Sequence, residues 1–267
     1  MRAARLMLAA VVPVLLAAAG AQAPTPQGYI APGAIDLPRI LPPAPVKGDI
    51  RYETDRKVFR AMQHRVGSPR WAYATSDVKY DTPSMLKDFS CAAGVVLSEQ
   101  GVPATFRLLS MASVDTSRAN NAAKEYWQRL RPFWIDRGKT CEGLDTLGRS
   151  FDYPSGHTTK GWTLGLILAE LLPDRVGPIL SRARAYGESR IVCGVHNASA
   201  VEAGRLGATA TMTAVRVTPA FRADLEAARI ELAQARLVQP RPDATQCAAD
   251  DAVLGPSVLA GLTKKGS

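Results

Sequence analysis

The sequence predicts a single all-α domain, and three observations carry that reading. Apolar residues recur at helical spacing in one segment after another, no alternating run of β-branched residues competes with them, and 267 residues with 46% apolar content suffice for one large core.

The elements follow in chain order. Residues 1–21 read as a secretory signal, because Arg2 and Arg5 precede an apolar run from Leu6 to about Ala19, and Ala19 and Ala21 fit the small-x-small rule for cleavage. That run is shorter than the roughly 20 apolar residues of a spanning helix, and no later segment is apolar enough, so no membrane span is expected after signal removal. Residues 22–48 are expected to form an extended arm, wrapped on a partner subunit or on the protein's own surface. Seven of the 19 prolines lie in residues 24–48, and proline locks φ and removes an amide donor. Helical spacing begins at Asp49 and defines an all-α domain over residues 49–239. Its first helix, "DIRYETDRKVFRAMQHR", places Ile50, Val58, Phe59 and Met62 on a broad face and ends near Gly67. Further helices are expected over residues 84–93, 103–111, 118–130, 158–172, 176–192, 199–217 and 219–238. Residues 240–267 are rich in proline, glycine and small residues and are expected to be loosely held except where Cys247 ties them down.

Composition narrows the function. The formal charge of +9 falls to +7 once Arg2 and Arg5 leave with the signal, which suits an anionic ligand. No run of five like charges and no aromatic-basic stripe occurs, so nucleic acid is not an expected partner. Cys91, Cys141, Cys193 and Cys247 are an even set in an exported chain, with no C-x-x-C pair. Two disulfides are expected; three pairings are open, with Cys141–Cys193 and Cys91–Cys247 preferred. No metal site and no cofactor is expected, since no histidine or carboxylate ligand set is clustered.

Three short constellations remain. In "KEYWQRLRPF", Lys124 and Arg131 are seven apart, a spacing that on a helix returns both to nearly one face, with Pro132 ending or bending it. In "RSFDYPSGHTTKGW", the turn Pro154-Ser155-Gly156 leads into an apolar helix and sets His157 at its N-terminus, where free amides and the dipole favour an anion. In "ESRIVCGVHNASAVEAGR", Arg190 and His196 are six apart, and Gly194 supplies the break that brings them together. Ser199 and Glu202 form a capping box that starts a new helix just after His196.

In order and spacing, Lys-x6-Arg-Pro, Pro-Ser-Gly-His and Ser-Arg-x5-His resemble the three-part signature of the phosphatidic-acid phosphatase and vanadium haloperoxidase superfamily. Size, signal and proline-rich start make the chain most similar to the bacterial class A nonspecific acid phosphatases, from about Leu41 to Leu237. The resemblance implies a helical bundle of that type and a periplasmic or secreted, metal-independent homo-oligomer. Its substrates would be phosphomonoesters, with inorganic phosphate as product. It implies that Lys124, Arg131 and Arg190 bind phosphate, aided by Ser155 and the amide of Gly156. His196 would be the nucleophile that forms a phosphohistidine, and His157 the acid for the leaving alcohol. His64, the third histidine, takes no part.

The chain departs from the signature at one point. The third motif continues to an aspartate that orients the nucleophilic histidine, and here that position is Ala200. A backbone carbonyl is the favoured substitute, because Glu202 is engaged in the capping box. The other outcomes are Glu202 itself or a weakly active phosphate-binding relative. A vanadium-dependent haloperoxidase is the alternative enzyme class, opposed by the short chain.

Overall fold

The computed structural model describes residues 27–260 apart from Arg149, together with Leu262. The signal expected at residues 1–21 lies outside them.

The centre of the molecule is α8 (Gly156–Leu171), and the other helices are best placed relative to it. Its segment is apolar on nearly every side, which is the pattern of a helix enclosed by others rather than one lying on a surface. Thr158, Thr163, Leu164, Ile167 and Leu168 are fully buried, and α6, α9, α10 and α11 pack around it.

Ahead of it, the arm turns into the short α1 (Leu37–Ile40), whose Leu37 joins Leu41 in an apolar cluster against α6 and α10. Tyr153 also donates to the carbonyl of Pro42 at 2.7 Å. Residues of the arm thus lie against the protein's own surface. Helix α2 (Ile50–Met62) begins at Asp49, whose side chain accepts from the amide of Arg51, and passes through a 3-10 turn that holds His64 to Gly67 at φ +80°. Val58, Phe59 and Met62 are buried as expected, but Ile50 is 82% exposed, at the start of the helix and off the core.

The next elements differ from expectation. Helix α3 (Pro69–Ser76) was not expected; Ser68 caps it and Pro69 opens it, and it is too short to display a period. The helix expected over residues 84–93 is two, α4 (Thr82–Asp88) and α5 (Ser90–Ala93), the latter ending at Gly94 with φ +72°. Conversely, the two expected over residues 103–111 and 118–130 are one, α6 (Pro103–Trp127). The polar stretch between them does not break the helix because its groups are satisfied in place. Ser113 and Thr116 donate to the carbonyls of Leu109 and Ala112, and Asp115 accepts from the amide of Tyr29 in the arm at 2.6 Å.

After the short α7 (Leu144–Leu147) and α8 come α9 (Val176–Val192), α10 (Ala198–Val215) and α11 (Pro219–Val238). Within the tail, residues 243–254 are not loosely held: α12 (Ala244–Leu254) starts at the cap Asp243 and is fixed by Cys91–Cys247 and by Tyr73 on Asp250. Leu254 is its one buried residue, so disulfide and polar contacts, not an apolar stripe, hold it. Both preferred disulfides form. Among the described residues there is no strand, and no helix is long and apolar enough to cross a membrane.

Helices α8 and α9 approach closely through small residues. A Cβ on Gly165 would lie 2.6 Å from that of Ala183. Gly165→Val is therefore expected to cost about 1–3 kcal/mol through overpacking, read as a lower Tm, with part of the loss recovered by adding Ala183→Gly. An unchanged Tm would contradict the tight contact.

Candidate active site

The site is built where helix ends meet. Ser155 is the N-cap of α8, and its backbone amide donates to the carbonyl of Ala200 at 2.9 Å, tying the Pro-Ser-Gly turn to α10. Gly204 permits that approach, since a Cβ there would lie 2.8 Å from the carbonyl of Ser155. His157 is thus the second residue of α8, not a residue ahead of it. Its Nε2 lies 3.0 Å from the carbonyl of Val78. A carbonyl only accepts, so Nε2 carries the proton and Nδ1 is the atom left to exchange one. The rings of Tyr80 and Tyr186 flank the imidazole at 4.5 and 6.2 Å.

Lys124 and Arg131 converge, but not along one helical face. Helix α6 ends at Gln128, which takes a left-handed φ of 46°, and Arg131 follows in extended backbone. The loop carries Arg131 back. Its Nε donates to the carbonyl of Ser150 at 2.7 Å, and its NH1 reaches the carbonyl of Val195 at 2.8 Å and Nε2 of His196 at 3.1 Å. Lys124, in the last turn of α6, donates to the carbonyl of Phe151, and its Cε is 4.0 Å from where a Cβ on Gly156 would stand.

The third constellation closes through Gly194, at φ +73°. A Cβ there would lie 2.6 Å from the carbonyl of Lys139. The turn brings the amides of Val195 and His196 onto the carbonyl of Arg190, each at 3.2 Å. Arg190 is fully buried; one NH2 group pairs with Glu142, while Nε and NH1 have no acceptor among the described residues. Buried donors of that kind are rare and point to a ligand. Asn120 is another: Oδ1 accepts from Thr159 at 2.8 Å, and Nδ2, without a partner, is 3.6 Å from the Cβ position of Gly156.

The ring of His196 is supported by a carboxylate that the sequence reading did not name, beside the main chain it favoured. Asp152 Oδ1 lies 3.0 Å from His196 Nδ1, so that nitrogen donates and Nε2 presents its lone pair on the side of Arg131. The main chain of Asp152 adds to the support of the protonated ring. Glu202 is elsewhere, paired with Arg205, and no capping box forms: α10 starts one residue earlier than expected, with Asn197 as N-cap. Ser199 instead binds Asp55 through its amide and hydroxyl. Sequence reasoning missed Asp152 and Arg129. The available signal was an acid directly ahead of the Pro-Ser-Gly-His turn in a chain whose third motif lacks one.

The electrostatics are those of crowded, dry cations. Burial, and then Arg131, hold Lys124 down to about 7. Burial, reinforced by Arg131, Lys124 and Arg190, holds His196 well below the usual imidazole range. Burial and then Arg190 do the same for His157 against the pull of the Val78 carbonyl. The arrangement disfavours further positive charge and favours a dianion that would offset it. Among the described residues no group of three His, Cys, Asp or Glu side chains is placed to hold a metal.

Comparison with known proteins agrees with this geometry. Residues 104–223 match the PAP2 superfamily. The chain is 40% identical over 209 residues to the acid phosphatase of Zymomonas mobilis subsp. mobilis, covering 78% of this chain and 79% of that one. It is 33% identical over 195 residues to the non-specific acid phosphatase of Salmonella typhimurium, covering 72% and 78%. For that of Providencia stuartii the figures are 32% over 204 residues, 75% and 82%. The chain belongs to the class A nonspecific acid phosphatases.

A pH dependence follows from Lys124. Its folded pKa lies below its unfolded value, so at low pH the buried ammonium opposes folding, and that cost is relieved progressively as pH rises from about 7 toward the ordinary lysine range. An anion that pairs with the ammonium reverses the preference. Sulfate, whose charge is constant in this range, is expected to raise Tm more at about pH 6 than at about pH 8. Lys124→Met should shrink the difference, because without the anion both imidazoles are held low, leaving only the proton that His157 takes up with the dianion.

Proposed function

We propose that this chain hydrolyses phosphomonoesters of broad range without a metal, through a phosphohistidine intermediate, and that it works in the periplasm or outside the cell. The observation that carries the reading is His196, with Nδ1 held by a carboxylate and an unprotonated Nε2 that accepts from NH1 of Arg131. Lys124 and Arg190 are close enough to perturb it.

In this reading the phosphoryl oxygens lie among Lys124, Arg131, Arg190, the hydroxyl of Ser155 and the amide of Gly156. The free donors of Arg190 supply bonds that are already in place when charge spreads over the equatorial oxygens. Nε2 of His196 attacks phosphorus as the bond to the ester oxygen breaks. His157, which takes up its proton once the dianion is bound, gives it through Nδ1 to the departing alcohol. A water then attacks the phosphohistidine, His157 takes a proton from it, and the phosphorus–nitrogen bond breaks to release phosphate and neutral His196. Export is supported by the signal-like start and by two disulfides.

His196→Ala is expected to remove hydrolysis of aryl phosphates, while a chelator leaves the unaltered enzyme at full rate. His157→Ala should lose much more activity on alkyl phosphates than on aryl phosphates whose leaving groups depart without a proton. Steady turnover by His196→Ala would refute the intermediate.

A further inference from the structure

We propose that Asp152 is the positioning residue of His196: it supplies, from the segment ahead of α8, the carboxylate that the third motif lacks at Ala200. The proposal rests on His196 being the nucleophile.

Asp152 is fully buried and all its accepting capacity is engaged. Oδ1 takes His196 Nδ1 at 3.0 Å and the amide of Asn197 at 3.1 Å. Oδ2 takes the side-chain amide of Asn197 at 2.8 Å and faces NH1 of Arg129 at 3.3 Å. Its own amide donates to the carbonyl of Arg129 at 2.8 Å. A carboxylate held by so many partners cannot swing away, so it selects the tautomer with the proton on Nδ1 and leaves Nε2 free to attack.

The charges behind it are ordered to keep Asp152 effective. Arg129 is buried beside it, with NH1 3.3 Å from Oδ2. Left alone, that guanidinium would cancel the field Asp152 presents to the imidazole. It does not act alone, because Asp55 Oδ2 pairs with its NH2 at 2.8 Å, and Asp55 is anchored in turn by the amide of Ser199 at 2.9 Å. From His196 outward the signs alternate through Asp152, Arg129 and Asp55. A cationic phosphohistidine thus meets a net negative neighbour. Position 200 has no such support: Ala200 is fully buried in the apolar cluster of Leu37, Leu41 and Tyr153. A carboxylate there would have to displace apolar contacts that hold the arm.

The test compares Asp152→Asn, Asp152→Ala and His196→Ala in the full chain, measuring kcat and KM on an aryl phosphate and the Tm shift caused by inorganic phosphate. Asp152→Asn keeps shape and can keep both bonds at Oδ1, so it guards against loss of folding. Both Asp152 variants are expected to lose kcat by roughly 10²–10⁴-fold. KM and the phosphate-induced Tm shift should stay within about twofold, since the cations that bind phosphate are untouched. If Asp152→Asn keeps kcat within about threefold while His196→Ala is dead, the main chain suffices and the proposal is overturned, though the nucleophile stands. Parallel loss of kcat, phosphate binding and Tm in both variants would overturn it as well, leaving a merely structural aspartate. An active His196→Ala would instead remove the reading beneath it.

Discussion

Mutual repulsion among buried cations is the constraint on which this structure turns. Lys124, Arg131 and Arg190 are each at most 6% exposed, and burial, reinforced by neighbouring cations, holds the two imidazoles well below their usual range. Such a cluster opposes folding and persists only because the surrounding elements are tightly determined. The advantage is that donors fixed beforehand need no rearrangement as charge develops on a reacting phosphoryl group.

Helix polarity eases that repulsion. Lys124 sits in the last turn of α6 and Arg190 in the last turn of α9, where backbone carbonyls leave partial negative charge. The N-terminus of α8, rich in free amides, meets them from the other side. Cationic side chains at two negative helix ends and an anion-seeking third end compose a site from three elements, none of which could form it alone. The central burial of α8 fixes their relative placement.

Much of this was legible because it depends on local chemistry. The bounds of α9 and α11 agree with periodicity and proline signals, and Gly194 marks the turn that folds His196 onto Arg190. The approach of Lys124 and Arg131 was anticipated for the wrong reason. A seven-residue spacing describes a helix, whereas Gln128 ends this one and a loop returns Arg131. The joining of α6 was hidden because Ser113, Asp115 and Thr116 look like a break until their partners are known, one of which lies in the arm. Asp152 was hidden for a deeper reason. Spacing along a helix reveals a partner four residues away, but a contact across 44 positions arises only when α8 and α10 are assembled. The tail escaped notice because polar contacts and a disulfide, which leave no periodic trace, secure it.

The bridge between Cys141 and Cys193 joins the loop bearing Glu142 to the end of α9, three residues past Arg190. Oxidation therefore does more than strengthen the fold. It keeps a counterion beside the guanidinium, whose other edge has no acceptor among the described residues and in the proposed reaction takes a phosphoryl oxygen. In the proposed reaction, a chain held under reducing conditions would lack that clasp, and competence for phosphate would wait on the joining of Cys141 to Cys193.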